Sequence, residues 1–384
     1  MNDLFFKEEH FMIQKMVRDF AKTKVEPVAR ELDEKELFPR DLVAEMGELG
    51  LMGTMVPEKY GGSGLDMTSF ATAIIELGKV DASVAITMAA HNSLGTLPLL
   101  LFGSEDQKNS HLPKLASGKT LGAFGLTEPD AGSDAGSTKT KAVREGNEYV
   151  VNGGKIFITN AGEAGLLSFT SQVIDQGNSI GIAAFIIPTD TPGLEIGKKE
   201  KKMGWNASDT RQLYFKDMKI PISAMLGTPA NGFKTFMKTL ASGRISIGAL
   251  SVGTAQGAYE KALNYSKERN AFNKPIHEFQ SIAFKLSDMA TKIEASKLLV
   301  FHAAWLKDQG ESINKEAAMA KLFASETAME VTREAIQIYG GYGYVKEYDV
   351  ERYFRDAKIL EIGEGTSEIQ RIIISREILK DIQL

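Results

Sequence analysis

The chain has 384 residues, a formal net charge of −5 and 43% hydrophobic residues, which predicts a globular protein of one large domain or two to three smaller ones. It has no long basic tract, so nucleic acid is not an expected partner, and the lack of cysteine excludes disulfides, thiolate metal sites and cysteine nucleophiles. The first residues do not have the pattern of a signal peptide, and the apolar run Leu97–Phe102 is too short to span a membrane. We therefore expect a soluble cytoplasmic protein without a membrane partner.

Residues 1–118 have the pattern of a helical domain. Ile13, Met16, Val17 and Phe20 recur at the spacing of one helix face, which indicates an amphipathic helix. Further helices are predicted at Met67–Gly78 and at 82–91, and the second of these is apolar enough to be buried.

Residues 119–228 change to short runs rich in β-branched and aromatic residues, at 150–151, 156–158, 166–173 and 180–187. Turn-forming sequences bound these runs, namely Gly146-Asn147, Gly153-Gly154, Gly177-Asn178 and Pro188. This spacing of strands and turns predicts an antiparallel β domain.

Residues 229–384 return to helical periodicity, with long helices predicted at 233–265, 279–306, 315–339 and 367–379. Gly340-Gly341 is expected to end the third of these helices. The chain is therefore predicted to be an α+β protein in three parts: helical, β and helical.

A carboxylate stands between two glycines in the sequence Gly363-Glu364-Gly365-Thr366, just before the last predicted helix. The glycines permit unusual backbone angles and close approach of a ligand, and Thr366 or Ser367 can cap the helix. Taken alone, the loop is better explained as an exposed Glu at a helix start, where the helix dipole favours negative charge.

Four further motifs accompany this loop: L-T-E-P-D-A-G-S-D at 126–134, K-I-F-I-T-N at 155–160, R-N-A-F-N-K-P-I at 269–276 and Q-I-Y-G-G-Y-G at 337–343. Together with E-G-T-S-E-I-Q-R at 364–371, in this order and spacing, they resemble the acyl-CoA dehydrogenase family of flavoenzymes. The resemblance covers nearly the whole chain. It implies an N-terminal helical domain, a central β domain and a C-terminal four-helix bundle, usually in a homotetramer built as a dimer of dimers.

The resemblance also implies a reaction. Family members use FAD to convert an acyl-CoA to the trans-2-enoyl-CoA, and they pass the electrons to electron-transferring flavoprotein. The α proton leaves to a carboxylate base and the β hydrogen leaves as hydride to flavin N5. No metal is required. The cofactor carries the redox chemistry, while the protein supplies the base, the oxyanion environment and the alignment.

Glu364 matches the catalytic base of the family. Some members place the base on another helix, one residue before an Arg that matches Arg244, but this chain has Gly243 at that position. The resemblance therefore assigns the base to Glu364. Its backbone N–H is expected to bond the thioester carbonyl, and substrate entry is expected to raise its pKa towards the working pH.

Other positions match cofactor and substrate contacts of the family. Arg269 matches the residue that pairs with the FAD pyrophosphate across a subunit interface. The other predicted cofactor contacts are Phe124, Leu126, Thr127, Ser133, Phe157, Ile158, Thr159, Phe272, Gln280, Gln337, Gly340, Gly341, Thr366 and Glu368. The predicted substrate contacts are Ser133 to the pantetheine, Arg244 near the adenosine end of CoA, and Gly363, Glu364 and Gly365 beside the thioester. The lysines at 198–202 are better explained as a solvated basic loop than as a site for the CoA phosphates.

The acyl group is less strongly specified. Asp81-Ala82-Ser83 and His91-Asn92-Ser93-Leu94 resemble the short-chain, butyryl-type branch. Ala85 stands where members that act on dicarboxylyl thioesters carry an Arg, which disfavours a second carboxylate. Gly363 stands where many relatives have Tyr, so branched, alicyclic and aryl-propionyl thioesters remain open.

Several alternatives also remain open. The same fold can run in reverse as an enoyl-CoA or aryl-acrylyl-CoA reductase, and acyl-CoA oxidases use oxygen as the electron acceptor. Non-redox members are expected to lack the base, which this chain has. A flavin-free binding protein is a further alternative, disfavoured because Arg269, Thr127 and Gln337 are all present.

Overall fold

The computed structural model describes residues 5–228 and 231–380, and it has the predicted helical, β, helical order. The N-terminal part consists of helices α1 (Glu8–Phe20), α2 (Glu26–Glu34), α3 (Arg40–Glu48), α4 (Met67–Gly78), α5 (Ala82–Ala90), α6 (Leu97–Phe102) and α7 (Glu105–Ala116). Every residue of α4 and α5 is buried. Asp66 and Asp81 begin these two helices, and their carboxylates accept hydrogen bonds from Ser69 N–H and Val84 N–H.

One long helical stretch of the N-terminal part differs from the sequence prediction. A π-helical segment, His91–Thr96, joins α5 to α6, so the stretch Ala82–Phe102 is continuous. Its 21 residues are long and apolar enough to cross a membrane by length and composition, although 83% of its apolar window is buried inside the protein. The sequence prediction ended this helix at residue 91, whereas the chain continues as a π-helix and then as α6, in which Pro98 lies at the start.

The central part is one sheet with strands β1 (Leu121–Gly125), β2 (Lys141–Glu145), β3 (Glu148–Thr159), β4 (Ala164–Asp175), β5 (Asn178–Pro188), β6 (Leu194–Lys199), β7 (Thr210–Pro221) and β8 (Met225–Leu226). The strand order is β6-β7-β3-β2-β4-β5-β8, with β1 also paired to β4. Most pairs are antiparallel, but β4 runs parallel to both β1 and β2. The prediction of an antiparallel β domain therefore holds for most strand pairs but not for these two, because turn signals locate strand ends but do not show which strands pair.

The Gly153-Gly154 pair is a second correction. It was predicted as a turn, but it lies inside the continuous strand β3, where the pairing with β7 shifts register. Gly153 has a φ of +143°, and a Cβ built there would lie 2.7 Å from the Cα of Thr140. The glycine is needed because another backbone passes too close for a side chain.

The C-terminal part contains α8 (Gly232–Glu268), the short strands β9 (Asn270–Ala271) and β10 (Lys274–Pro275), α9 (Gln280–Asp308), α10 (Asn314–Tyr339), α11 (Val350–Lys358) and α12 (Ser367–Leu379). Helix α10 packs against α8, α9 and α12, as expected for a four-helix bundle. Gly340 ends α10 with a φ of +61°, as the sequence predicted.

The three parts meet at the π-helical segment. Gly95 of this segment lies against Gly122 of β1, and a Cβ on Gly95 would be 2.5 Å from the Gly122 carbonyl carbon. The same segment also packs against α8. This close approach brings the N-terminal helices, the first strand and the bundle together around the loop that carries Glu364.

Candidate active site

The loop that carries Glu364 connects α11 to α12 and has a fixed shape. Gly363 N–H donates to Ile359 O at 2.8 Å, and Thr366 Oγ1 accepts from Ile369 N–H at 3.3 Å, which caps α12. Glu364 has a φ of +54° and Gly365 a φ of +99°. The left-handed angle at Glu364 costs about 1–2 kcal/mol for a residue with a Cβ. The sequence prediction attributed the unusual angles to the glycines, and the structure places one of them on the carboxylate residue itself.

The Glu364 carboxyl group packs against the backbone of α8. A Cβ built on Gly243 would lie 1.9 Å from Glu364 Oε2 and 3.3 Å from Leu94 Cδ2. A side chain at position 243 would therefore displace the carboxyl group from this place. Position 243, which matches the position of the base in some relatives, therefore lies directly beside the Glu364 carboxyl group.

The environment of this carboxyl group favours its neutral form. Glu364 Oε2 is buried and has no hydrogen-bond partner among the described residues. Burial raises the pKa of Glu364 to about 7, while the positive charges of Lys321 and Arg244 act in the opposite direction. A carboxyl group with a pKa near neutrality is suited to accept and release protons at physiological pH.

This raised pKa has a consequence for stability. Because the folded pKa of about 7 is above the ordinary 4.5, the folded state holds more protons between these values, and stability falls as the pH rises through that range. Glu364→Gln is therefore expected to stabilise the protein by about 2–3 kcal/mol at pH 8 and by much less near pH 5. Urea unfolding at the two pH values measures the difference. The exposed Glu148→Gln is the control, and an equal effect of Glu364→Gln at both pH values would contradict the assignment.

The predicted flavin wall is formed by the end of β1 and the bulge in β3. Ile156 N–H donates to Thr127 O at 2.9 Å, which joins the Phe124–Thr127 and Phe157–Thr159 segments. Phe157 is 63% exposed and has a φ of +59°, so its ring stands out from the sheet. An aromatic ring in this position can cover a planar ligand.

Two of the predicted wall residues have side chains that face elsewhere. Ile158 is only 2% exposed and belongs to the core, so its side chain does not reach a ligand. The Phe124 ring stacks on Phe236 with centroids 4.1 Å apart. The prediction of cofactor contacts at these positions applies to their backbone groups, because alternate residues of a strand face opposite sides.

A buried ion pair behind this wall was missed by the sequence prediction. Lys155 Nζ lies 2.6 Å from Glu128 Oε1 and donates to Leu126 O at 3.2 Å. Both side chains are almost inaccessible, and Glu128 also accepts from the Thr138 hydroxyl and from Thr140 N–H. Burial would raise the pKa of Glu128, but Lys155 and these hydrogen bonds lower it to about 2. The pair fixes the loop at 126–140, which carries Leu126, Thr127 and Ser133.

A second group of predicted cofactor residues lies at the ends of α8, α9 and α10. The Arg269 guanidinium lies 5.5 Å from the centre of the Tyr342 ring, next to Gly340 and Gly341. A Cβ on either glycine would meet no atom within 4 Å, so this backbone is open to a ligand. The members of this group are exposed: Arg269, Phe272, Gln280, Gln337, Gly340 and Gly341. Within the described part of one chain, no hydrogen bond or ring contact joins this group to the wall at Phe157.

The predicted substrate residues lie in different environments. Ser133 is exposed, whereas Arg244 is 7% exposed and close enough to Glu364 to influence its pKa. The predicted contact of Arg244 with the adenosine end of CoA does not fit this buried position beside the carboxyl group. In the basic loop, Lys199 donates to Glu36 O and Asn206 O and Lys202 donates to Ser208 O, so these lysines stabilise the fold.

Comparison with known proteins agrees with this arrangement. The family models for the N-terminal, middle and C-terminal domains of acyl-CoA dehydrogenases match residues 7–119, 123–218 and 230–379. The chain is 52% identical to the probable acyl-CoA dehydrogenase YngJ of Bacillus subtilis, over 99% of this chain and 100% of the relative. It is 45% identical to the short-chain specific acyl-CoA dehydrogenase of Clostridium acetobutylicum (98% and 100% covered) and 42% identical to a 3-(aryl)acrylate reductase of Clostridium sporogenes (98% and 100%).

Solved structures are similar to nearly the whole of this chain. Butyryl-CoA dehydrogenase of Megasphaera elsdenii has a TM-score of 0.94 at 45% identity, covering 97% of this chain and 99% of that one. A chain from a study of the electron transferring flavoprotein of Acidaminococcus fermentans has a TM-score of 0.96 at 46% identity, with 98% and 99% covered. An acyl-CoA dehydrogenase of Bacillus anthracis complexed with FAD has a TM-score of 0.91 at 36% identity, with 98% and 67% covered. The chain is a member of the acyl-CoA dehydrogenase family, with its N-terminal helices, central β domain and C-terminal helical bundle.

Proposed function

We propose that this enzyme catalyses FAD-dependent α,β-dehydrogenation of a short-chain acyl-CoA to the trans-2-enoyl-CoA, with Glu364 as the base. The observation that carries the proposal is the Glu364 carboxyl group, which is packed against Gly243, has no hydrogen-bond partner at Oε2 among the described residues and has a pKa raised to about 7. Such a group takes a proton from a weakly acidic carbon more readily than an exposed carboxylate of ordinary pKa.

The residues present fit FAD. Phe157 offers an exposed ring beside the free end of β1, and Arg269 is exposed and makes no ion pair within the described chain. The open backbone at Gly340-Gly341 allows close approach of a dinucleotide. When bound, FAD would supply the acceptor for the β hydrogen. Residues of the wall would hold the flavin ring. Arg269 would bind the pyrophosphate, because the guanidinium group can donate to two phosphate oxygens at once.

The protein groups around the thioester would remove the α proton and bind the carbonyl oxygen. Glu364 removes the α proton, and its backbone N–H, which makes no hydrogen bond within the described residues, is available to the thioester carbonyl oxygen. Gly243 borders the carboxyl group, Leu94 lies beside Gly243, and Glu364 Oε2 is buried away from water. The rate of thioester oxidation is expected to rise with pH through the pKa near 7, because only the ionised carboxylate takes the proton.

The acyl pocket supports short and also bulkier thioesters. Gly363 precedes the base, and a Cβ there would meet only Ile359 O, at 3.4 Å, so the space is open. Short-chain substrates are supported by the relatives named as short-chain specific and butyryl-CoA dehydrogenases. Ala85 is fully buried without a cation nearby in the sequence from 80 to 107, which disfavours a dicarboxylyl group.

Gly363→Tyr tests the size of this pocket. The ring would occupy the open space before the base and is expected to lower kcat/KM for branched, alicyclic or aryl-propionyl thioesters at least about 10-fold, with a small effect on butyryl-CoA. A steric change of this kind in a pocket costs about 1–3 kcal/mol. Steady-state kinetics with matched thioesters measure the ratio. Gly363→Ala is the control for the loss of glycine, and an unchanged ratio for Tyr would show that position 363 does not border the acyl group.

We further propose a homotetramer and an electron-transferring flavoprotein as the electron acceptor. Phe272 is 90% exposed and lies next to Arg269, as expected of a side chain that a second subunit covers. The similarity to a chain from a study of an electron transferring flavoprotein supports that partner. A second candidate is the reverse reaction, reduction of an enoyl-CoA or aryl-acrylyl-CoA, which the similarity to a 3-(aryl)acrylate reductase favours.

An anaerobic titration of the purified flavoprotein with a panel of CoA thioesters tests the proposal. Saturated short-chain thioesters should bleach the flavin, whereas enoyl-CoA and aryl-acrylyl-CoA thioesters should reoxidise the reduced form. The potential of the flavin bound to each ligand pair then indicates the direction. A purified protein without flavin, or one that no thioester reduces, would overturn the assignment.

A further inference from the structure

A buried lysine lies under the loop that carries Glu364, and its contact with that loop has not been used in the function described above. Lys321 is in the middle of α10 and is 0% exposed. It lies on the same helix face as the buried alanines Ala317, Ala324 and Ala328. Among the described residues, its ammonium has a backbone carbonyl and not a carboxylate as its hydrogen-bond partner. A buried lysine without a paired carboxylate is costly to the fold, which suggests that the residue is kept for another reason.

The ammonium is bound to the backbone of the base loop instead. Lys321 Nζ donates to Gly365 O at 2.8 Å. The same oxygen accepts from Gln370 Nε2, also at 2.8 Å, and this amide lies 3.4 Å from Glu364 O. Gln370 is 0% exposed and comes from the first turns of α12. Two buried donors from two helices therefore hold the carbonyl next to the base.

These two hydrogen bonds stabilise a strained backbone conformation in the loop. Glu364 and Gly365 both have positive φ, and a conformation of this kind persists only where surrounding contacts fix it. Hydrogen bonds from a charged donor are stronger than those from neutral ones, so Lys321 is well suited to hold it. The charged groups near Lys321 are Glu364, Glu361, Glu326 and Arg244, and of the positive charges near Glu364 that of Lys321 has the larger effect.

We propose that Lys321 is a positioning residue for the base: with Gln370 it holds the strained loop so that the Glu364 carboxyl group faces α8, and its positive charge favours the ionised carboxylate. This inference rests on the proposed function of Glu364. Lys321 contributes both a hydrogen bond and a positive charge. Gln370 donates a hydrogen bond to the same oxygen but carries no charge, so a comparison of the two residues separates these contributions.

The test compares Lys321→Met, Gln370→Leu and the control Lys315→Met, which removes an exposed lysine from the same helix. Anaerobic stopped-flow measurement of flavin reduction by butyryl-CoA is recorded from pH 5.5 to 9 for each holoenzyme. Lys321→Met is expected to slow reduction at pH 7 by about 10- to 100-fold and to move the midpoint of the pH profile up by about one unit. Gln370→Leu is expected to slow reduction without moving the midpoint, and Lys315→Met to change neither.

Hydrogen–deuterium exchange gives a readout that does not depend on turnover. Amides of the loop at 359–366 should exchange faster in Lys321→Met and in Gln370→Leu than in the wild type and in Lys315→Met. If Lys321→Met does not yield folded protein, Lys321→Gln, which can still donate to Gly365 O but carries no charge, replaces it. A midpoint moved up in that variant supports the inference, and a wild-type midpoint overturns it. A wild-type rate and midpoint in Lys321→Met, or a loss confined to the melting temperature, also overturns it.

The proposed function and this inference can fail separately. If Glu364→Gln reduces the flavin at the wild-type rate, the assignment of the base is wrong. If Glu364→Gln is inactive and Lys321→Met behaves as the wild type, the base stands and only the positioning role of Lys321 is excluded.

Discussion

Glu364→Gln is expected to slow reduction of the flavin by a short-chain acyl-CoA on the order of 10²- to 10⁴-fold, the usual contribution of a positioned base. The amide has nearly the same shape as the carboxyl group, so it fits against Gly243, but it does not accept the α proton. The variant should keep its FAD, because Glu364 is not among the groups that would hold the dinucleotide. Anaerobic stopped-flow spectroscopy measures the rate.

The matched control for this change is Glu377→Gln, in the helix that follows the loop, where the carboxylate pairs with Lys380. It should reduce its flavin at the wild-type rate. Loss of FAD from Glu364→Gln would make the kinetic result uninformative about the base, so the flavin content of each variant is measured first. Bleaching of flavin-loaded Glu364→Gln at wild-type speed would show that another group takes the proton.

Lys155→Met is expected to cost about 3–5 kcal/mol in the free energy of unfolding, because it leaves the Glu128 carboxylate buried and without its cation. The Lys155 and Glu128 side chains are 0% and 3% exposed, so water does not replace the lost partner. The variant should also bind FAD more weakly, since Lys155 donates to Leu126 O at the predicted flavin wall. Urea unfolding and flavin fluorescence measure the two effects.

The double variant Lys155→Met with Glu128→Gln separates charge from packing. It removes both charges and retains an acceptor for Thr140 N–H, so it should recover most of the stability that the single variant loses. If Lys155→Met lowers the free energy of unfolding by less than about 1 kcal/mol, the pair contributes no more than an exposed ion pair does, and the prediction is wrong. Equal losses in the single and double variants would indicate that packing of the lysine chain, and not its charge, stabilises the loop.

The long helices were predictable from the sequence because their signals are local. The predicted 367–379 helix is found as Ser367–Leu379, and the predicted 315–339 helix as Asn314–Tyr339. An apolar stripe at helical spacing and a glycine at the end depend only on nearby residues. The fold class followed from the order of these segments and from the family resemblance.

Features that depend on the packing of distant segments were not predictable. Gly153 resembles a turn residue in the sequence, but its role comes from Thr140, thirteen positions earlier, which passes beside it. The parallel pairing of β4 with β1 and β2 depends on how strands are arranged in the sheet, which turn signals do not specify.

The candidate site also combines features that the sequence predicts with features that depend on packing. Glu364 was identified from a motif, whereas the fit of its carboxyl group against Gly243 and the effect of burial on its pKa required the structure. Lys321 left one signal that was overlooked: a single lysine on the buried stripe shared by Ala317, Ala324 and Ala328. A charged residue at such a position in an amphipathic helix indicates a specific partner, here the Gly365 carbonyl.

The central claim, that Glu364 takes the proton from the carbon next to the thioester, is tested most directly by solvent exchange at that carbon. The FAD-loaded enzyme is incubated with butyryl-CoA in D₂O under anaerobic conditions, and deuterium at the α position is followed by NMR or mass spectrometry. We predict that the wild type incorporates deuterium and that Glu364→Gln does so at least about 100-fold more slowly. Incorporation at the same rate in both proteins would contradict the account.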